Sequence, residues 1–191
     1  MKLKFDHFSI LAPFYERFIP PTVPEKLLAL VNLPADGIVL DAGGGTGRVS
    51  QFLCDKASQV IVADLSLEML KEAQKKEGLH AICSYTENSP FADNCFDGII
   101  MVDAFHHVAN QRKTANDLWQ ILKPGGRIVI EEPDVRSFRV KLIALAEKLA
   151  LMRSHFLAPP QIADLFHFPS SRVQINTEGT NAWIIVEKES G

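Results

Sequence analysis

Short apolar runs alternate along this chain with longer segments of helical period. IVLDA (38–42), VIVAD (60–64), HAIC (80–83), GIIMVD (98–103) and RIVIEE (127–132) are the runs. Most are continuously apolar rather than alternating, as parallel strands buried on both faces are. Between them the 3.6-residue period predicts helices over 46–55, 66–77 and 109–122. The last stops at Lys123-Pro124-Gly125-Gly126, a helix stop and turn before the next strand. Such β-α-β alternation builds a doubly wound α/β sheet with right-handed crossovers. The ends differ in character. FDHFSILAPFYERFIPP followed by a helical EKLLALVN makes residues 1–32 an N-terminal helical cover. FRVKLIALAEKLALMR (138–153) predicts a long amphipathic helix and PQIADLF (160–166) a short one. RVQIN and NAWIIVEKE flank TEGT, a hairpin signal around Gly179.

Composition narrows this frame only modestly. A chain of 191 residues with 47% apolar and 23% charged residues is expected to be one domain, spanning 1–191. A formal net charge of −3 gives no bulk attraction to nucleic acid or anionic lipid, so neither is an expected partner. MKLKFDHFSILAPF carries Asp6 and His7 and breaks at Pro13, unlike a signal peptide, and no apolar run reaches membrane-spanning length. Cys54, Cys83 and Cys95 are few and far apart, which points to reduced thiols in a cytoplasmic protein rather than to disulfides or zinc.

Candidate chemistry concentrates in VLDAGGGTGRVS (39–50), where a strand gives way to a helix. A plain turn, a phosphate cradle and a backbone-lined cofactor pocket compete to explain it. A dinucleotide fingerprint needs G-x-G-x-x-G, and counting from Gly43 and Gly45 the third position is Arg48. No Gly-Lys-Ser/Thr follows, so the loop is not a P-loop either. Asp41-x-Gly43-x-Gly45-x-Gly47 places a carboxylate before the glycines, which repels pyrophosphate and suits a ligand with an ammonium group or hydroxyl donors. Asp64 ends the next strand, at the carboxyl edge where open α/β sheets bind ligands, and can accept both hydroxyls of a ribose. The competing role for Asp64 is a helix cap, which Ser66 fills at least as well.

VLDAGGGTG, VIVADLSLEML, SPFADNCFDGIIMVDAFHHV and LKPGGRIVIEE, in this order and spacing, resemble the class I S-adenosylmethionine-dependent methyltransferases. Within them the chain is similar to the group containing the ubiquinone and menaquinone C-methyltransferases, whose N-terminal pattern FDHFSILAPFYE echoes. The resemblance implies a Rossmann-like, mostly parallel sheet of seven strands in the order 3-2-1-4-5-7-6, closed by an antiparallel hairpin. It implies S-adenosyl-L-methionine as cofactor and S-adenosyl-L-homocysteine as product. Asp41, Gly43, Gly45 and Gly47 would face the methionine part and nearby ribose, Asp64 the ribose hydroxyls, and Leu65 the adenine face. Glu87 and its neighbours would flank adenine, Asp103 and Ala104 the methionine end, and Tyr15 would close the pocket. Relatives carry an Asp for the adenine amino group where this chain has Tyr85. A backbone carbonyl or Glu87 then takes that contact, or adenine is held less tightly.

Methyl transfer from a sulfonium is an in-line displacement, so alignment and water exclusion dominate. A base is needed only when the acceptor must lose a proton, as an enol, phenol or acidic carbon does. His106 and His107, just past the fourth strand, are the candidate catalytic residues, against a packing role for the same pair. Adjacent histidines on a regular helix cannot face one ion, so no metal is expected. The absence of an Asn/Asp-Pro-Pro-Tyr/Phe motif after the fourth strand, with the acidic balance, favours a small-molecule acceptor over nucleic acid. The apolar stripe of 138–153 either packs into the core or lines an apolar acceptor pocket. A cofactor-binding but non-catalytic module is the rival reading, and the missing third glycine disfavours an NAD enzyme.

Overall fold

The computed structural model describes residues 24–137, 140–141 and 154–191. Tyr15 and the helix expected over 138–153, apart from Val140 and Lys141, lie outside the described residues. In chain order the elements are α1 (Pro24–Val31), β1 (Ile38–Ala42), β2 (Gln59–Asp64), α2 (Leu67–Ala73), β3 (Leu79–Cys83), β4 (Phe96–Val102), α3 (Gln111–Ile121), β5 (Leu122–Pro133), α4 (Pro159–Asp164), β6 (Ser171–Glu178) and β7 (Asn181–Lys188). The seven strands form one sheet in the order β3-β2-β1-β4-β5-β7-β6, parallel except for β7 against β5 and β6. This is the Rossmann-like arrangement that the sequence led us to expect.

Both faces of the sheet are covered, which is why its strands read as unbroken apolar runs. Leu40, Ile99, Met101, Ile128 and Ile184 build one core with α3 and α4. Val39, Val60, Val62, Ile100 and Val129 build the other with α1 and α2. Ser66 caps α2 by accepting the Met69 N–H, and Asn110 caps α3 through the Lys113 N–H. The β6–β7 hairpin turns at Gly179, whose φ of +59° is a conformation glycine adopts without strain. No helix among the described residues is long and apolar enough to cross a membrane.

Two local expectations are corrected. The helix expected over 46–55 is only a 3₁₀ turn, Ser50–Leu53. Gly47 sits at φ +70°, outside the right-handed helical region, so winding starts late. Phe52 and Lys56 then bond to Val49 and Leu53, three residues back, and the turn stays tight. The Lys123–Gly126 stop signal, in turn, does not delay β5. The register passes from Phe96↔Leu122 directly to Gly98↔Arg127, so residues 123–126 bulge out of a strand already begun. Gly125 at φ +83° permits the bulge, and the Lys123 ammonium anchors it to Asp97 at 2.8 Å.

Candidate functional site at the carboxyl edge of the sheet

The carboxyl ends of β1, β2 and β4 converge on the loop 43–47, and each glycine there answers a different demand. The Gly43 and Gly44 N–H groups both reach the Ala63 carbonyl, at 2.7 and 3.3 Å, tying the loop to the end of β2. A Cβ on Gly43 would stand 2.8 Å from the Ala104 methyl, so the loops after β1 and β4 touch through that missing atom. One on Gly44 would strike the Asp41 carboxylate, 2.5 Å from Oδ2, and one on Gly47 would meet Leu79 Cδ1 at 2.5 Å. Among the described residues Gly45 alone in the loop opens outward: at φ +55°, its Cβ would find only Asp64 Oδ2 there, 4.0 Å away.

Three carboxylates surround this loop in distinct states. Asp41, 2% exposed, lies beneath it and accepts the Ser50 hydroxyl. Burial pushes its carboxyl up to about 6, against the opposing pull of the Ser50 hydrogen bond and the Arg48 charge, while Asp64 adds a small repulsion. Asp64 is half-buried at the edge itself. Its Oδ2 accepts the Gly45 N–H at 3.0 Å and its Oδ1 the Ser66 N–H at 2.8 Å. Asp64 therefore braces loop and turn, while the α2 cap is Ser66. Asp103, at φ +52°, pairs with the buried Arg48 guanidinium at 2.9 Å, an ion pair that ties the loop after β4 to the segment after β1.

Toward β3 the edge is open. Leu65 is 52% and Tyr85 62% exposed, a large apolar residue and an aromatic one after the ends of adjacent strands. The Ser84 N–H donates to the Asp64 carbonyl at 3.1 Å and keeps the two turns together. Glu87 does not point outward with them. Its Oε1 accepts the Ala109 and Asn110 N–H groups at 2.8 and 3.2 Å, clamping the β3 loop to the start of α3.

On the other side, Ala104 leads into a 3₁₀ turn, Phe105–His107. His106 is 4% exposed and its Nδ1 lies 2.6 Å from Glu132 Oε2 at the end of β5. Glu132 Oε1 accepts the Phe105 N–H at 2.7 Å. Phe156 stacks on the His106 ring, with centroids 4.3 Å apart and planes at 14°. His107 Nδ1 lies 3.3 Å from Ser154 Oγ, and burial, then the neighbouring His106, lowers its imidazole to about 3. The two histidines are thus electrostatically unlike.

The structure thus gathers Asp41, Gly43, Gly45, Gly47, Asp64, Asp103 and Ala104 around one loop, with Leu65 and Tyr85 on one flank and His106 and His107 on the other. Sequence reasoning passed over Ser50, Arg48 and Glu132. Glu132 had a visible signal: an acidic pair, Glu131-Glu132, ends an apolar strand at the edge where ligands bind. Among the described residues no cluster of His, Cys, Asp and Glu able to hold a metal ion occurs.

Residues 40–130 match the family described as "Methyltransferase domain". The chain is 37% identical over 95 residues to a demethylmenaquinone methyltransferase of Paenarthrobacter aurescens, covering 49% of this chain and 38% of that protein. It is 35% identical over 127 residues to a malonyl-[acyl-carrier protein] O-methyltransferase of Pectobacterium atrosepticum, covering 63% and 49%. The matched region thus spans half or less of these relatives' own lengths. A solved SAM-dependent methyltransferase of Aquifex aeolicus superposes with a TM-score of 0.70 at 21% identity, over 96% of this chain and 98% of that one, and shares the fold.

Proposed function

We propose that this chain is a class I S-adenosylmethionine-dependent methyltransferase, similar to the group of the ubiquinone and menaquinone C-methyltransferases, and that it methylates a small-molecule acceptor. The observation that carries the reading is the pairing of Gly45 with Asp64. A loop that opens outward only where a side chain is missing stands beside a half-buried carboxylate already oriented by two backbone N–H groups. That arrangement fits an adenosyl ligand: backbone for close approach, a carboxylate for ribose hydroxyls. When bound, S-adenosyl-L-methionine supplies an electrophilic methyl group on a sulfonium.

The chain's own residues then bind and orient. Asp64 takes the ribose hydroxyls, and Leu65 and Tyr85 offer apolar and aromatic surface to the adenine. Gly43, Gly45 and Gly47 give the loop its shape, and Asp41 puts negative charge beneath the cationic end of the ligand without touching solvent. Asp103 and Ala104 border the methionine end, with Arg48 fixing Asp103. Tyr15, outside the described residues, is assigned to the cover that excludes water. The demethylmenaquinone and ubiquinone/menaquinone methyltransferases among the relatives favour an apolar acceptor.

Calorimetric titration with S-adenosyl-L-homocysteine tests the seat. Saturable binding is expected in the wild type and a roughly tenfold or greater loss in Asp64→Ala, since hydrogen bonds to a charged group carry about 1.5–3 kcal/mol. Equal binding by both proteins would remove Asp64 from the site. Transfer of a labelled methyl group from S-adenosyl-L-methionine into a metabolite extract tests turnover, and binding without transfer would leave only the non-catalytic module.

A further inference from the structure

We infer that Tyr85 holds the adenine by its face and that no carboxylate reads the exocyclic amino group of the base. The seat then accepts purine nucleosides linked through sulfur to homocysteine whether or not they carry that group. This rests on the adenosyl seat described above and sets its specificity.

The flank beyond Asp64 is built for contact rather than for hydrogen bonding. β2 and β3 run parallel with Asp64 opposite Cys83, so the turns that follow them leave neighbouring strands. Two bonds hold those turns together. The Ser84 N–H donates to the Asp64 carbonyl at 3.1 Å, and the Cys83 thiol to the Leu65 carbonyl at 3.7 Å. Past them the Asn88 N–H closes a turn on the Tyr85 carbonyl at 3.4 Å. Backbone fixed in this way presents Leu65, Leu67 and Tyr85, the three most exposed large apolar or aromatic side chains among the described residues. Apolar surface gathered beside a ligand seat is surface for the ligand to cover. An aromatic ring there suits any purine, because every base has a π-face and stacking does not read its edge.

The carboxylates of the flanking segments, 64–68 and 84–89, are committed elsewhere. Glu87 Oε1 accepts the Ala109 and Asn110 N–H groups at 2.8 and 3.2 Å, and its Oε2 faces the Thr86 hydroxyl at 3.3 Å. Turning Glu87 toward the base would strip two backbone N–H groups of their acceptor, which costs more than one new bond returns. Glu68 reaches along α2 to Lys71 at 2.6 Å. Asp64 braces Gly45 and Ser66 and belongs to the ribose.

The consequence is one of specificity. A site that reads an amino group with a carboxylate rejects the analogue that lacks it, by roughly tenfold to hundredfold, because the charged acceptor is left unpaired. A site that grips the base by its face keeps nearly all of its affinity for that analogue.

The test is calorimetric titration of the full chain with S-adenosyl-L-homocysteine and with its 6-desamino analogue, in which purine replaces adenine. The wild type should bind the two within about fivefold of each other. A larger preference for the amino compound overturns the inference, and its loss in Glu87→Gln would identify that carboxylate as the reader. Tyr85→Ala should weaken both ligands by the same factor, roughly fivefold to hundredfold, the usual effect of removing a ring from under a base. Unchanged affinity in this variant overturns the stacking role. Tyr85→Phe keeps the face and loses the hydroxyl, so both affinities should stay at the wild-type level. A loss confined to S-adenosyl-L-homocysteine would assign the amino group to the Tyr85 hydroxyl and overturn recognition by the face. Thermal melts of each variant separate affinity from folding, and Tyr85, being exposed, should leave Tm unchanged when replaced. Failure of the wild type to bind either compound overturns the adenosyl seat itself, an outcome distinct from all of these.

Discussion

Asp41→Asn separates the charge of the buried aspartate from its shape. In the folded protein burial raises this carboxyl from 3.8 to about 6. That difference corresponds to about 3 kcal/mol, because one pKa unit is worth about 1.36 kcal/mol. The sign follows from proton uptake. Between about pH 4 and 6 the folded state holds the proton that the unfolded chain has released, so folding stability falls as pH rises through this window. Below about pH 4 both states are protonated and the penalty vanishes; above about pH 6 it is fully present. Asparagine keeps an oxygen for the Ser50 hydroxyl and never ionises. Its buried NH₂ adds a roughly constant cost of about 1–3 kcal/mol if unpaired, independent of pH. The quantity to measure is therefore the change in the variant-minus-wild-type stability between about pH 4 and pH 8, from urea unfolding at both. It should shift by about 3 kcal/mol in favour of the variant, roughly 6–12 °C in Tm for a chain of this size. A pH-independent difference would refute the reasoning, and a shift of opposite sign would mean that Ser50 and Arg48 outweigh burial.

Other substitutions divide binding from folding. Gly47→Ala sets a Cβ 2.5 Å from Leu79 Cδ1 at φ +70°, so it should destabilise by about 2–4 kcal/mol in thermal melts, from strain plus overpacking. Gly45→Ala, at φ +55°, meets only Asp64 Oδ2 at 4.0 Å among the described residues and should cost only about 1–2 kcal/mol of stability, yet its methyl group enters the seat and should weaken S-adenosyl-L-homocysteine binding more than tenfold by calorimetry. His107, lowered to about 3, opposes protonation in the folded state. Stability should therefore fall as pH drops below about 6.5, and His107→Gln should remove that part of the acid sensitivity in unfolding titrations. Arg48→Met leaves Asp103 without its 2.9 Å partner and should weaken cofactor binding while α2 and the sheet keep their circular dichroism signature.

What the linear chain determined is what local chemistry encodes. Unbroken apolar runs gave buried parallel strands, Gly179 gave the hairpin, and Asp64 at the end of VIVAD stands at the carboxyl edge because strand ends there follow from the parallel topology. The Gly43-x-Gly45-x-Gly47 spacing marks a loop of positive φ, and all three adopt it. Which glycine faces outward was not legible, since this depends on Leu79, Ala104 and Asp41 arriving from other elements. Nor was the fate of the aspartates: Asp41 lies one residue before the end of β1 and Asp64 ends β2, yet one goes under the loop with Ser50 and the other stays at its rim. The pairing of His106 with Glu132 spans 26 residues and depends on the β4–β5 register, Val102↔Glu131. A slip of one residue would turn Glu132 to the opposite face and offer Glu131 in its place. Periodicity and backbone freedom are properties of neighbouring residues and can be read along the chain. Burial, charge state and proton position depend on what packs from elsewhere, and only the folded sheet decides them.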